Sequence, residues 1–240
     1  ATIVALLCVG MFATFSLTLD GFLTASNIIT LVRNVAILGV LGIGMAMVVI
    51  GRGIDLSIVP VMAVSVSLMF VLIASGMPVW AGFLLGLAAA VAMGAINGVL
   101  IAYVEIPPLF ATLALGMIAL GTGEYVVFKS SVVPVPEAAS GMADFLTARI
   151  AGVPMSVIVF LGMALFVHLV MRKTHKGRYL YALGDNPAAA RTGGMPVRPF
   201  ILFQYGLVGV IAFVAGLLMA SAVNEMNTRI VYSTLPYDVI

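Results

Sequence analysis

The strongest constraint on this chain is a series of long segments that contain almost no charged side chain. A helix needs about 20 mostly apolar residues to cross the hydrocarbon core of a bilayer. Seven segments meet this requirement, at about residues 2–19, 33–50, 58–75, 79–103, 108–128, 153–171 and 200–223. They are continuously apolar, whereas the strands of a membrane β-barrel alternate apolar and polar side chains. The segments therefore predict an all-α fold, a polytopic bundle of transmembrane helices.

The composition also indicates a lipid environment. Hydrophobic residues make up 63% of the chain and charged residues only 8%, whereas a soluble domain has about 25% charged residues. So few charges could not cover a surface that faces water. The net charge of +2 argues against a nucleic-acid partner.

The positions of Lys and Arg predict the orientation of the helices. Segment 172–199 holds six of the eleven basic residues, at Arg172, Lys173, Lys176, Arg178, Arg191 and Arg198. The positive-inside rule places this segment in the cytoplasm. Alternation from it gives inner connections at 51–57 and 104–107, and outer connections at 20–32, 76–78, 129–152 and 224–240. The inner side then has seven basic residues against four outside, at Arg33, Lys129, Arg149 and Arg229.

The outer connection 129–152 contains Pro134 and Pro136, followed by a mildly amphipathic run from Ala138 to Ile150. This run predicts a short helix on the outer surface. Such a helix could contact an external partner or cap the bundle, and capping is favoured.

The fourth apolar segment has a small residue at every fourth position: Gly82, Gly86, Ala90, Gly94 and Gly98. These positions share one face of a helix, so they predict close packing against another backbone. Asn97 lies beside this stripe, and its amide needs a partner when it is buried. A hydrogen bond across a helix interface is favoured for Asn97 over direct contact with a transported substrate.

The connection Gly51-Arg52-Gly53-Ile54-Asp55-Leu56-Ser57 interrupts two apolar helices. Arg52 and Asp55 could neutralise one another, and Ser57 or Asp55 could cap the next helix. Charged residues at membrane depth are candidates for function, so Asp55 and Ser57 are possible residues of a translocation path or of a conformational switch. Thr112 could also line a path, although a hydrogen bond back to its own helix is favoured.

A short helix is predicted inside the basic segment 172–199. Asp185 or Asn186 suits its N-cap, Pro187 its first turn, Ala188 to Ala190 its body, and Gly193 or Gly194 its end. A helix of about two turns buries too little to be stable alone, so it needs a docking partner. Docking is favoured over a plain loop.

Several kinds of chemistry have no motif in this sequence. It contains no Gly-x-x-x-x-Gly-Lys-Ser/Thr loop for hydrolysing ATP, no Gly-x-Ser-x-Gly elbow and no His-Glu-x-x-His pair. His168 and His175 are isolated, and the single cysteine, Cys8, cannot form an intramolecular disulfide. No enzyme activity, metal site or cofactor is therefore predicted.

Three other functions remain as alternatives. An ion-coupled secondary transporter of a small polar solute would need acidic residues near the membrane midplane, and Asp20 and Glu124 are both expected near the outer surface. An intramembrane enzyme would need a nucleophile and a base. A structural membrane partner would transport nothing.

Four stretches resemble one family, the permease subunits of bacterial ribose-, xylose- or rhamnose-type sugar importers of the ATP-binding-cassette (ABC) class, which are related to branched-chain amino-acid permeases. They are GRGIDLSIVPVMA from Gly51, GAINGVLIAYVEIPPLFATLALG from Gly94, GRYLYALGDNPAAARTGGMPV from Gly177 and AGLLMASAVNEMN from Ala215. Family members often have small residues where Ile58, Val59 and Pro60 stand. The resemblance covers nearly the whole chain.

The resemblance implies a single permease domain, residues 1–240, in the bacterial inner membrane. Members have about ten spans, so the chain is expected to lack the last three and to be trimmed at its N-terminus. The implied partners are a second permease subunit, a cytoplasmic ATP-binding subunit and a periplasmic or lipid-anchored sugar-binding protein.

The resemblance also implies that the short helix couples the permease to the ATP-binding subunit. The coupling residues would be Gly184, Asp185, Asn186, Pro187, Ala188, Ala189, Arg191 and Gly193. The cargo would be a ribose-like pentose or a similar monosaccharide.

Overall fold

The computed structural model describes residues 2–232 together with residues 235 and 239. Within these residues the chain forms ten α-helices: α1 (Thr2–Thr18), α2 (Ala25–Ile50), α3 (Ile58–Ala74), α4 (Val79–Ala102), α5 (Pro108–Thr122), α6 (Ser140–Thr147), α7 (Met155–Lys173), α8 (His175–Asp185), α9 (Pro187–Thr192) and α10 (Val197–Val223). A π-helical turn, Gly123–Phe128, extends α5. Two 3₁₀ turns occupy Glu137–Ala139 and Thr228–Tyr232.

The helices confirm the predicted fold class. Five of them are long and apolar enough to cross a membrane, namely α2, α4, α5 with its π-helical turn, α7 and α10. The other two predicted spans are α1 and α3, which are shorter apolar helices. The chain is therefore an all-α, polytopic bundle of membrane helices.

Two features of the helices differ from the sequence prediction. Helix α2 begins at Ala25 rather than near residue 33, because Ile28, Ile29, Leu31 and Val32 continue its apolar pattern. Arg33 therefore lies within a helix and not at the edge of an outer connection.

Helix α8 was not predicted. Its N-cap Thr174 accepts a hydrogen bond from the Gly177 N–H, and Leu180 and Leu183 are buried on one face.

Helices α3 and α10 form the centre of the bundle. Most residues of α3 are buried around its whole circumference, as expected for a helix that is apolar on every face. Of an 18-residue apolar stretch in each helix, 61% of the residues are buried in α10 but only 22% in α7. Helices α2 and α4 pack beside this pair, while α5 and α7 are more peripheral. Phe70 of α3 and Phe213 of α10 are fully buried in the core.

Contacts between connections show that they gather at two ends of the bundle. At one end, Arg198 forms an ion pair with Glu105, and Arg52 donates a hydrogen bond to the carbonyl oxygen of Asp185. Connections 51–57, 103–107 and 174–196 therefore share this end, which agrees with the predicted alternation.

The opposite end carries two short antiparallel ladders. Strand β1 (Val132–Pro134) pairs with β4 (Glu225–Asn227), and β2 (Arg149–Ile150) pairs with β3 (Val153–Pro154). The first ladder joins the segment after α5 to the segment after α10. The predicted outer segment 224–240 is described only to residue 232 and at residues 235 and 239.

Helix α6 lies at the same end as these ladders. It packs against α10 and buries Ala143, while Phe145 remains exposed. Through this contact α6 covers part of α10 at this end of the bundle.

Candidate functional site

The connection 51–57, named here the α2–α3 loop, lies against α10. A Cβ atom on Gly51 would lie 2.5 Å from Nε2 of Gln204, and one on Gly53 would lie 2.6 Å from Oη of Tyr205. A side chain at either position would therefore force the Gln204 or Tyr205 side chain to move. The glycines allow the loop backbone to enter the bundle and bring Asp55 inside it.

Asp55, Ser57 and Asn97 form a continuous hydrogen-bonded chain. Oδ1 of Asp55 accepts from the Ser57 hydroxyl at 2.5 Å and from the Ser57 N–H at 2.8 Å. Nδ2 of Asn97 donates to the Ser57 oxygen at 2.7 Å. This bond joins α4 to the start of α3, so Asn97 bonds across a helix interface.

Thr112 connects a further helix to the same loop. Its hydroxyl donates back to the Pro108 carbonyl at 2.8 Å, within α5. The same oxygen accepts the Leu56 N–H at 3.1 Å. Thr112 thus makes the expected bond to its own helix and also holds the loop.

Asp55, Ser57, Asn97 and Thr112, named here the polar cluster, are all at most 3% exposed. In this conformation none of them faces an open path. The Asp55 carboxyl lies in the connection between two spans, and burial raises its pKa, while the hydrogen bonds from Ser57 act in the opposite direction.

Two polar atoms, one within this cluster and one beside it, lack partners among the described residues. Oδ1 of Asn97 and the hydroxyl of Tyr205 are buried without a hydrogen bond. Buried polar atoms are normally paired. These two atoms therefore mark a place where the bundle leaves hydrogen-bonding capacity unused.

Arg52 does not pair with Asp55, so the expected neutralisation of these two charges is wrong. Arg52 is exposed and Asp55 is buried, and Nη2 of Arg52 instead donates to the Asp185 carbonyl at 2.7 Å. The expected cap is also different. Ser57 makes no side-chain cap for α3, and the one backbone N–H that Asp55 accepts is that of Ser57, which precedes the helix.

The glycine stripe of α4 contacts two neighbouring helices. Cβ atoms on Gly82 and Gly86 would crowd Ile73 and Met69 of α3. A Cβ on Gly94 would overlap the Tyr205 carbonyl oxygen of α10, and one on Gly98 would lie 2.7 Å from the Leu202 Cα. The stripe thus faces α3 at one end and α10 at the other.

Helix α9 has the local structure that its sequence predicts. The Asn186 side chain accepts hydrogen bonds from the N–H groups of Ala188 and Ala189, each at 3.1 Å. Pro187 occupies the first turn, and Gly193 ends the helix. These caps allow a helix of only six residues to form.

One side of α9 is buried and the other is exposed. Ala190 packs in a small cluster with Leu183 of α8 and Val197 of α10. Ala188, Ala189 and Arg191 are exposed. Within the described part of the chain, nothing covers that small, mostly apolar surface.

Two polar residues of α10, Gln204 and Tyr205, were not identified as site residues from the sequence. Gln204 donates to the Met47 carbonyl of α2 at 2.8 Å, and Tyr205 lies against the α2–α3 loop. Both are polar side chains inside an apolar segment, and that signal could have identified them. No group of three or more His, Cys, Asp or Glu residues that could hold a metal occurs among the described residues.

Comparison with known proteins then identifies the family. The family model described as "Branched-chain amino acid transport system / permease component" matches residues 27–240. The chain belongs to this permease family. The permease is 33% identical over 232 residues to the probable ABC transporter permease protein YphD of Escherichia coli K12, covering 96% of the chain and 68% of that protein.

Two further relatives are named as sugar import permeases. The fructose import permease protein FruF of Bifidobacterium longum is 30% identical over 206 residues, covering 85% of the permease and 57% of FruF. The ribose import permease protein RbsC of Escherichia coli K12 is 28% identical over 208 residues, covering 85% of the permease and 64% of RbsC. The chain thus spans about three fifths of the length of these curated relatives. No solved structure gives a significant match.

Proposed function

We propose that this permease is the transmembrane subunit of an ABC importer that moves a monosaccharide across the bacterial inner membrane. Family membership supports the permease role. The names of relatives that import ribose and fructose support a sugar as cargo. A ribose-like pentose or a similar monosaccharide fits these relatives, whereas their names lend no support to an ion-coupled transporter.

The observation that carries this proposal is the exposed surface of α9. A six-residue helix is too short to be stable without caps and contacts, yet this one is capped at its start and fixed to the bundle through Ala190. It presents Ala188, Ala189 and Arg191 outward. Small side chains allow a partner surface to approach closely, and Arg191 adds a donor for a carboxylate.

We assign α9 and its flanking residues 184–193 as the coupling site for a cytoplasmic ATP-binding subunit. The segment 172–199 is rich in basic residues, which supports a cytoplasmic position. The remaining proposed partners are a second permease subunit and a sugar-binding protein, periplasmic or lipid-anchored, at the end that carries α6 and the two ladders.

The physical requirement for transport is a difference in affinity. ATP shifts the permease between conformations only if the ATP-binding subunit binds one of them more tightly than the other. In this mechanism α9 is the contact through which the difference acts. The polar cluster then serves as a set of hydrogen bonds between α3, α4, α5 and their loop that can change when the helices move.

The substitution Ala189→Asp tests the coupling site. Ala189 is exposed and lies in the first turn of α9, where an acidic residue favours the helix. The helix should therefore persist while a charge enters a close contact with the ATP-binding subunit. We expect the variant to insert into the membrane normally, to fail to co-purify with its ATP-binding subunit and to lose ATP-dependent uptake of labelled ribose and fructose.

A matched control is Ala138→Asp, at an exposed position in the 3₁₀ turn of the opposite end. This control should co-purify with the ATP-binding subunit like the unmodified permease. An Ala189→Asp variant that co-purifies and transports normally would contradict the assignment of α9.

A further inference from the structure

Arg52 has a backbone conformation that arginine seldom adopts. Its φ angle is +62°, in the left-handed region that favours Gly and Asn. It stands between two glycines, and the Gly53 N–H bonds to the Val48 carbonyl at 2.9 Å to close the end of α2. This backbone conformation favours glycine at position 52, so the presence of arginine is explained by the contacts of its side chain.

The side chain of Arg52 binds the end of α8. Nη2 donates to the carbonyl oxygen of Asp185 at 2.7 Å, across 133 residues of sequence. Asp185 is the last residue of α8, and Asn186, the next residue, is the N-cap of α9. Carbonyls at a helix C-terminus have no partner within the helix and attract cations.

Backbone packing reinforces this contact. A Cβ on Gly184 would overlap the carbonyl oxygen of Ile50, the last residue of α2. The C-terminal ends of α2 and α8 thus meet directly, and both carry partial negative charge. The guanidinium of Arg52 lies where it offsets that repulsion.

The same loop reaches the polar cluster within a few residues. The Leu56 N–H donates a hydrogen bond to Thr112 of α5. Asp55 accepts one from the Ser57 hydroxyl, and the Ser57 oxygen accepts one from Asn97 of α4. One seven-residue loop therefore contacts α8 at its start and both α4 and α5 near its end.

We propose that Arg52 is a positioning residue that passes displacement of α8 and α9 to α4 and α5 through the α2–α3 loop. This inference rests on the proposed role of α9 as the coupling helix. A second connection, the cluster of Leu183, Ala190 and Val197, links α9 to α10. That cluster holds α9 in place without Arg52, so removal of Arg52 should uncouple the helices without preventing docking.

The test is Arg52→Gly in the complete gene product, assembled with its ATP-binding subunit and binding protein. Glycine adopts a positive φ readily, so the loop backbone keeps its conformation while the side-chain contact is lost. We expect normal co-purification and normal basal ATP hydrolysis. Stimulation of hydrolysis by the sugar-loaded binding protein, and sugar uptake, should fall by about tenfold, a typical strength for coupling between two sites.

Lys129→Gly is the matched control, because Lys129 is also basic, is exposed and has a positive φ of 54°. It lies at the opposite end of the bundle and should leave stimulation unchanged. Arg52→Lys keeps a cationic donor and should restore part of the stimulation lost in Arg52→Gly. Both glycine variants should insert into the membrane and remain folded.

Two results would overturn the inference. If Arg52→Gly shows the same stimulation of hydrolysis and the same uptake as Lys129→Gly, the contact between Arg52 and Asp185 does not transmit displacement of α8 and α9. Loss of co-purification in Arg52→Gly would show that Arg52 holds α9 for docking instead. The Ala189→Asp variant separates the two proposals. If Ala189→Asp still docks with the ATP-binding subunit, the proposed coupling site is wrong. If Ala189→Asp fails to dock while Arg52→Gly behaves like the unmodified protein, only the proposed role of Arg52 is wrong.

Discussion

At the scale of single residues, Ser57 connects two polar side chains that come from distant parts of the chain. Its hydroxyl donates to Asp55 and accepts from Asn97, and all three side chains are buried. A buried hydrogen bond adds modest net stability, but an unpaired buried donor carries a large cost. Loss of the Ser57 hydroxyl therefore leaves the Asn97 amide without its acceptor and Asp55 with one donor fewer.

Ser57→Ala should lower the free energy of unfolding by about 1–3 kcal/mol, since it leaves Nδ2 of Asn97 unpaired and removes a donor from Asp55. Unfolding in detergent, followed by circular dichroism, measures the change. The matched control Ser75→Ala removes an exposed hydroxyl that bonds only to the Leu72 carbonyl, and it should change stability by less than about 0.5 kcal/mol. Equal effects of the two substitutions would contradict the importance of the cluster.

At the scale of helices, α4 and α10 approach each other through glycines on both sides. A Cβ on Gly94 would overlap the Tyr205 carbonyl oxygen, and one on Gly209 would overlap the Ala90 carbonyl oxygen. Helix association in a membrane depends on close van der Waals packing, because lipid supplies no hydrophobic driving force between helices. This pair of helices therefore tolerates no added side chain at its contact.

Gly94→Ala should destabilise the permease by about 1–3 kcal/mol, the typical cost of overpacking, because the added methyl group meets a backbone atom that cannot rotate away. Gly94→Leu should be worse. The control Gly42→Ala places a methyl group where no atom lies within 4 Å, and it should be neutral or stabilising by up to about 1 kcal/mol. An unchanged melting temperature for Gly94→Ala would show that the helices can separate without cost.

At the scale of the whole molecule, the connections divide between two ends, and the distribution of basic residues predicts which end is cytoplasmic. Arg52, Arg191 and Arg198 lie at the end that contains α8 and α9. Arg149 lies in the small β2–β3 ladder at the other end. The positive-inside rule therefore predicts that the more basic end, with α8 and α9, faces the cytoplasm.

Labelling of introduced cysteines tests this orientation. With Cys8 replaced by Ser, a membrane-impermeant maleimide added to cells with a permeabilised outer membrane should label Arg149→Cys and not Arg191→Cys. Both positions are exposed, so a difference in labelling reports sidedness. Labelling of position 191 from outside would invert the topology and would also exclude docking of a cytoplasmic subunit on α9.

The sequence by itself determined the helical fold, the approximate spans and the local structure of α9. These features depend on interactions between neighbours in sequence: apolar runs long enough to cross a bilayer, the Asn186 cap, Pro187 in a first turn and Gly193 at a helix end. The glycine spacing in α4 likewise placed small residues on one face of a helix. Such signals act within a few turns, so the sequence carries them directly.

Only the tertiary structure decided the partners of the polar and charged residues. Arg52 and Asp55 are three residues apart, yet Arg52 bonds to Asp185 and Asp55 bonds to Ser57. Asn97 and Thr112 meet the same loop from two different helices, and Gln204 and Tyr205 approach it from a third. Packing of α3 and α10 at the centre determines these contacts, because a buried polar group bonds to whichever partner the packed helices bring within reach.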